Sequence, residues 1–547
     1  MSPPASPDGP AAAVGTTAPR RLDPATPWVT ERLGALVLAA ALAALAVGSF
    51  LAAAGLPATG EERIGANVPI DPKVAGDPMR LDQNNSPSLA RSPVAPARLA
   101  VANRIDNPLF SCALHVSADG GASWQPSAIP FPAGEEDPPR CFAPDVAFAA
   151  DGTLHVLFVT LYGLGNRPHA VWLASSKDGG KTLSTPTKVL GPLAFQARLA
   201  ADPTRPKRLY LTWLQAADTG NLSFPSTGNP INLIRSDDAG ASWTDPVRVT
   251  PAARERVVAP SLRVGPDGPF LSYLDLGDDR LDYHGGHGGR GGLAYGGTWS
   301  LVLARSTDEG RTWKEAVVAD DLVPIERIVV FLPPTPALAV DPGGKRVYLA
   351  FHDAKLGDAD VWLWASGDGG RTFARHRVND TRVGDGRAQY LPQLALAGDG
   401  RLDVVYYDRR SDPHDMRNGV SEQSSFDGGR SFTPHVAVSD RSFDSRIGFG
   451  SERDMADLGS RLALASGPHA SLAVWTDTRA GTDASGKQDL AQGVVGIQAG
   501  SHWRLRLRLV ALALLAAALC IVVRVARRTP PEALTSQPST PAPTSRM

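Results

Sequence analysis

The chain has 547 residues, too many for one ordinary hydrophobic core and enough for several domains or one repeat array. Lys and Arg number 55 against 56 Asp and Glu, a formal net charge of −1, so no basic excess exists to neutralise phosphates and no nucleic-acid partner is expected. Glycine at 54 and proline at 47 suit a turn-rich all-β protein.

In chain order, a polar lead (1–31) ends in an uncharged apolar run, Leu33 to Leu56, long enough to span a bilayer core. A second apolar run, Leu509 to Val523, is shorter, but Arg506, Arg508, Arg524 and Arg527 can snorkel from its two ends. Arg20, Arg21 and Arg32 precede the first run, and Arg524, Arg527 and Arg528 follow the second, so both tails read as cytoplasmic. The expected organisation is a cytoplasmic tail at 1–31, a transmembrane helix or signal anchor at 32–56, and a linker with a ring-closing strand at 57–85. A repeat domain at 86–498, a second transmembrane helix at 504–526 and a disordered cytoplasmic tail at 527–547 complete it. A cleaved signal peptide at Ala52-Ala53-Ala54 stays open for the first run.

Between the apolar runs one phrase recurs. Ser117-Ala-Asp119-Gly-Gly121-Ala-Ser-Trp124 has the form Ser-x-Asp-x-Gly-x-x-aromatic. It returns at Ser176/Asp178/Gly180/Leu183, Ser236/Asp238/Gly240/Trp243 and Ser306/Asp308/Gly310/Trp313, then at Ser366/Asp368/Gly370/Phe373 and Ser425/Asp427/Gly429/Phe432. Successive serines lie 59, 60, 70, 60 and 59 residues apart, a period that marks a repeat architecture. Short Ser and Asp side chains accept hydrogen bonds from their own loop, and glycine supplies a positive φ, so each phrase predicts a tight turn between strands. The phrase resembles the Asp-box, or BNR repeat, of the sialidase-like propeller superfamily. That resemblance implies a β-propeller over 86–498, with Asp119, Asp178, Asp238, Asp308, Asp368 and Asp427 as structural Asp-box residues.

Around each phrase the strand order repeats, as in Thr335–Val340, Arg346–Phe351 and Asp360–Ala365, so a unit is one four-stranded propeller blade. About 60 residues per unit over 86–498 predicts seven blades, six being the alternative. The seventh lacks a box and needs an outer strand from the N-terminal side, within Glu62–Ile70. With Cys520 inside the second apolar run, Cys112 and Cys141 form an even pair in an oxidising compartment. A disulfide is expected between Cys112, on a third strand, and Cys141, in the link to the next blade.

Blade topology puts the loop after each second strand, and each inter-blade link, on the face opposite the boxes. Second strands there end in a shared phrase: Phe351/Asp353/Lys355, Tyr406/Asp408/Arg410, Trp475/Asp477/Arg479, and in part Tyr273/Asp275 with Gly277 in place of the cation. Asp353, Lys355, Tyr406, Asp408, Arg410, Asp477, Arg479 and Tyr390 are the ligand-binding candidates, with one structural salt bridge per blade as the alternative reading. Arg198, Arg256, Arg327, Arg387, Arg446 and Arg453 add cations on the links, which suit an acidic sugar. His284 and His287, in a glycine-rich insertion, complete no metal set, and no metal or cofactor is expected.

The sialidase resemblance implies a Tyr nucleophile with a Glu partner, an Asp acid/base and three arginines on a sugar carboxylate. Tyr390, Tyr406 and Tyr407, with Glu326 and Glu452, are the available groups, and none stands in the family's catalytic phrase; Arg63-Ile64-Gly65 departs from its Arg-Ile-Pro. The leading expectation is a membrane-anchored extracytoplasmic propeller that binds a glycan or surface protein, or acts as a scaffold. A sialidase-like glycoside hydrolase is the alternative.

Overall fold

The computed structural model describes residues 26–55, 60–77, 79–135, 139–222, 226–281, 295–325, 334–448, 458–498 and 503–527. They fall into two units, residues 60–498 and the two terminal segments.

The first unit holds a seven-bladed β-propeller of four-stranded antiparallel sheets. The first strands are Asn84–Arg91, Arg140–Phe148, Ala194–Ala201, Val257–Val264, Ala337–Val340, Gln389–Leu396 and Ala463–Ser466. Each touches the next around the ring, and the seventh touches the first. Second strands such as Leu154–Tyr162 are apolar almost throughout, because neighbouring blades cover both faces of the sheet. The resulting core is a series of layers between blades: Leu157, Val171 and Leu173 of the second blade pack on Leu199, Leu211 and Trp213 of the third.

The seventh sheet takes its outer strand, Gly60–Pro69, from the start of the domain, with Arg63 opposite Val495 and Ile64 opposite Val494. The two chain ends of the propeller therefore share one sheet, which closes the ring without an exposed gap.

The Ser-x-Asp-x-Gly turns hold themselves together. In the first, Gly121 N donates to Ser117 Oγ (2.9 Å), the Ser117 hydroxyl donates to Asp119 Oδ1 (2.7 Å), and Ser123 N donates to the same oxygen (2.9 Å). The five other turns repeat the serine-to-glycine bond at 2.8–2.9 Å. Gly240 shows why that residue is glycine: its φ is +91°, and a Cβ would lie 2.3 Å from Leu173 of the preceding blade. The terminal aromatic of the first turn, Trp124, reaches from blade one to Gln492 of blade seven (2.9 Å).

Cys112 and Cys141 are joined, with Cα atoms 5.5 Å apart. Cys141 lies in the first strand of the second blade rather than in the link before it, so the bridge ties that strand to the third strand of blade one.

The second unit holds two helices, α1 (Thr26–Gly55) and α3 (Trp503–Arg527); α2 (Pro72–Gly76) belongs to the propeller unit. Val29–Leu51 and Leu507–Arg527 are long and apolar enough to cross a membrane, with mean hydropathies of 2.3 and 2.7. The helices pack on one another through alanines seven residues apart, Ala39 and Ala46 on one and Ala511 and Ala518 on the other. Small side chains at that spacing let apolar helices approach closely where no hydrophobic effect drives them together. Arg508 stands 5.8 Å from the centre of the Phe50 ring, so the pair runs antiparallel.

Candidate functional site

The site grows from an irregularity shared by the first strands. In five blades the register with the second strand slips by a bulge, and the bulged residue has positive φ: Ser86 (52°), Ala143 (48°), Gln196 (49°), Ala259 (56°) and Leu391 (53°). Residues other than glycine resist this conformation at roughly 1–2 kcal/mol each. Such strain persists only where surrounding contacts impose it, and bulges of this kind re-aim side chains. Here the imposing contacts come from the neighbouring blade: Ala259 N donates to Gln196 Oε1 (2.6 Å), Leu199 N to Asp145 Oδ2 (2.9 Å) and Ser460 N to Ser86 Oγ (3.0 Å).

Two residues after each bulge, Ser88, Asp145, Arg198, Ser261 and Gln393 line the central channel, and Arg461 joins them from blade seven. Gly459, at φ +89°, holds the equivalent bulge position before Arg461. The channel cavity has a volume of about 300 Å³ and carries three arginines, Arg198, Arg263 and Arg461, against one carboxylate, Asp145.

Arg198 and Arg461 also line a second cavity of about 240 Å³ on the face of the links, over blades one to three. Arg104 joins them there, and Phe110, Phe142 and Phe195 form an apolar wall. Phe110 meets Phe142 edge-on at 5.4 Å, and Arg104 lies 5.0 Å from the Phe142 ring centre. The Cys112–Cys141 bridge stands directly behind this wall, where Cys141 N donates to Phe110 O (3.1 Å).

These arginines differ in how they are neutralised. Arg104 is buried against Asp106, Nε to Oδ1 at 2.6 Å. Arg461 donates instead to two main-chain oxygens, Pro87 O (3.0 Å) and Pro144 O (2.9 Å). Arg198 donates to Ala197 O (3.2 Å), and Arg263 to Leu262 O (2.8 Å). Among the described residues no carboxylate lies within ion-pair distance of Arg198, Arg263 or Arg461. Burial pulls the proton affinity of Arg198 and Arg461 below the ordinary arginine value, and the Arg198 charge adds to the effect on Arg461. Arg263 is exposed to solvent. Guanidinium groups stay protonated under such stress, so the cavity holds standing positive charge in a low-dielectric setting.

The ligand-binding candidates stand elsewhere, in three separate blades, closed on their own partners. Asp353 is buried and accepts from Arg375 of the outer strand and from Val323 N (2.9 Å); Lys355 pairs with Asp321. Asp408 is buried and accepts from Arg410 and from Ser421 Oγ (2.6 Å), while Arg410 also reaches Asp380 (2.6 Å) and Tyr406 Oη (3.1 Å). Asp477 is buried and accepts from Trp475 Nε1 (3.0 Å) and Arg479 (2.7 Å). In blade four, where Gly277 replaces the cation, Arg254 pairs with Asp275 (2.8 Å). Tyr390 is buried with its hydroxyl on Asn418 (3.1 Å).

Burial raises the pKa of Tyr390, and that of Tyr406 and Tyr407 well above the usual phenol range. None of the residues lining the two cavities is a tyrosine. Tyr273 donates to Glu315, but it is buried between blades three and four. Arg63 lies on the outermost strand of blade seven. Of the link arginines, Arg256 donates to Gly277 O (3.0 Å), Arg387 to Arg410 O (2.6 Å), and Arg446 pairs with Asp444 (2.6 Å). Among the described link arginines, Arg198 alone lines these two cavities. Arg327, Arg453, Glu326, Glu452, His284 and His287 lie outside the described residues.

Arg104, Arg263, Arg461, Asp145 and the three phenylalanines escaped the sequence reading. A second repeat carried the signal for the channel residues: Ser86-Pro-Ser88-Leu-Ala, Ala143-Pro-Asp145-Val-Ala, Gln196-Ala-Arg198-Leu-Ala, Ala259-Pro-Ser261-Leu and Leu391-Pro-Gln393-Leu-Ala. The variable third position of this phrase is the channel residue.

No family model matches the chain, and no curated protein matches it. Solved structures similar to it include a protein of unknown function from Dyadobacter fermentans (14% identity, TM-score 0.42, covering 81% of this chain and 100% of that one). Others are the Hadza microbial sialidase Hz136 (18%, 0.38, 60% and 63%) and a Penicillium chrysogenum α-L-arabinanase in complex with arabinobiose (16%, 0.40, 66% and 95%).

Proposed function

We propose that the protein is a membrane-anchored, extracytoplasmic Asp-box propeller that binds a carboxylate-bearing glycan at its arginine-lined cavity. The observation that carries this reading is the pairing of Arg198 with Arg461 on a cavity where three arginines face one carboxylate. Arg461 is buried and Arg198 half-buried without a counter-ion, which is costly, and an anionic ligand offsets that cost. Guanidinium forks match a carboxylate in a bidentate manner, and the Phe110–Phe142–Phe195 wall suits the apolar face of a sugar ring. The two apolar helices, with arginines beyond both runs, support anchoring with the propeller outside.

Binding rather than hydrolysis is the supported chemistry, because no described tyrosine faces either cavity. The deciding experiment offers the full-length protein, in detergent, a fluorogenic sialoside and the same sugar as an unreactive glycoside. The reading predicts saturable binding of the second and no fluorophore from the first. Turnover that disappears on replacing Arg198 or Arg461 would overturn it.

A further inference from the structure

A third cavity, of about 170 Å³, opens where the seventh blade meets the first, on the segment that follows the ring-closing strand. Its charged and titratable lining is Asp71, Arg80, Asp82, His115 and Asp489, with Asn84, Asn103 and Ser127 as the neutral polar residues. Ile70, Leu114 and Leu490 supply buried apolar walls.

The charges can be counted. Arg80 pairs with Asp82 (2.8 Å). Lys487 spends its three donors on the carbonyls of Val74 (2.6 Å), Ala75 (3.1 Å) and Asp77 (2.9 Å) at the end of α2, which leaves it 4.0 Å from Asp489. Burial lowers the pKa of His115, so its ring is neutral. Three carboxylates against two cations leave one negative charge.

The acceptors can be counted too. Asn103 is 1% exposed, and its amide nitrogen donates to Asn84 Oδ1 (2.9 Å) and Arg104 O (3.1 Å), yet its Oδ1 accepts nothing. Oδ2 of Asp489 and Nδ1 of His115 likewise accept no hydrogen bond from the described residues. His115 Nε2 stands 3.4 Å from Asp71 Oδ2, which assigns the ring proton to Nε2 and makes Nδ1 an acceptor. Buried acceptors without donors are rare in folded proteins and call for a partner.

We propose that this cavity binds a small primary ammonium compound, a short alkylammonium. One positive charge balances the site, three N–H donors answer three idle acceptors, and the apolar wall takes the chain. Among the described residues no three His, Cys, Asp or Glu side chains are placed to hold a metal ion, which favours an organic cation. The ligand would tie the α2 segment to blade one, so binding would also secure ring closure.

The test uses the full-length protein in detergent and n-butylammonium chloride, read by calorimetry and thermal melting, with butan-1-ol and sodium chloride at matched ionic strength as controls. The expected result is saturable binding and a rise in Tm with butylammonium alone. Asp489→Asn and Asn103→Leu should each weaken binding at least about tenfold. Val74→Phe, which fills the cavity from α2, serves if either variant fails to fold. Binding should also fade below about pH 6, as Asp489 protonates among Asp71, Asp82, Asp477 and Lys487. Equal response to butanol or sodium chloride, or unchanged affinity in the folded variants, would show a cavity that holds water only and would overturn the proposal.

Discussion

Arg198 and Arg461 share a single carboxylate, Asp145, whose oxygens are already held by the Ser88 hydroxyl (2.5 Å) and the Leu199 amide (2.9 Å). Asp145 softens the potential of the two cations without contacting either. Replacing it with asparagine keeps one acceptor and removes the charge, so anion affinity should rise several-fold. An unchanged or lower affinity, measured by calorimetry at fixed salt, would contradict this electrostatic account.

The bulges store strain that a single atom can release. Ala143 sits at φ 48° on the cavity wall, and glycine adopts that conformation without penalty. Ala143→Gly should therefore stabilise the fold by about 1 kcal/mol, whereas Ala143→Val should destabilise it by more. Chemical denaturation distinguishes the two, and a loss of stability in the glycine variant would show that the strain is not there.

The bridge between Cys112 and Cys141 closes a loop with a sequence separation of 29. Loop entropy gives roughly 3–4 kcal/mol for a closure of that length. The unreduced, folded protein should show neither cysteine to a thiol reagent, and reduction should lower Tm. Because the bridge backs the Phe110–Phe142 wall, reduction should also weaken glycan binding, and binding that survives reduction intact would separate the bridge from the site.

The turns predict an acid limb. Hydrogen bonds from Ser123, first its hydroxyl and then its amide, hold Asp119 down to about 2 from 3.8, and hydroxyl and amide donors hold Asp238 and Asp308 there too. A depressed folded-state pKa contributes stability that is present above the unfolded value and lost as pH falls through the folded one. Stability should thus drop as pH falls from about 4 to 2. Replacing Asp308 with asparagine should flatten that limb slightly and leave glycan binding unchanged. A limb of the same slope in this variant would assign the acid loss to other carboxylates.

The ring was legible because its turns are chemically explicit: a serine, an aspartate and a glycine must stand at fixed spacing for the hydrogen bonds to close, and six such phrases mark six of the seven blades, the seventh following from the strand spacing. First strands were harder to read. The sixth runs from Gln389, four residues before the run Gln393–Leu396 that alternation suggests, because Pro392 and the bulge at Leu391 break the period within the strand. The same bulges re-aim the channel residues, so the cavity was invisible to a reading based on strand alternation. The Asp-x-Arg phrases were conspicuous for a different reason: they recur, and in the fold their charges are already paired, Asp408 with Arg410 and Ser421 of its own blade, and the cations Lys355, Arg410 and Arg479 also with Asp321, Asp380 and Asp440 from the preceding blade or its link.

The central claim is that Arg198 and Arg461 hold a ligand carboxylate. The most direct measurement is calorimetry of the full-length protein with an acidic oligosaccharide and with its methyl ester, at one ionic strength, for the native chain and for Arg198→Ala and Arg461→Ala. The account predicts saturable binding of the acid and strongly reduced binding of the ester. Each substitution should cost about 1.5–3 kcal/mol, roughly a tenfold to hundredfold loss. Equal affinity for acid and ester, or an affinity that neither substitution changes, would contradict it.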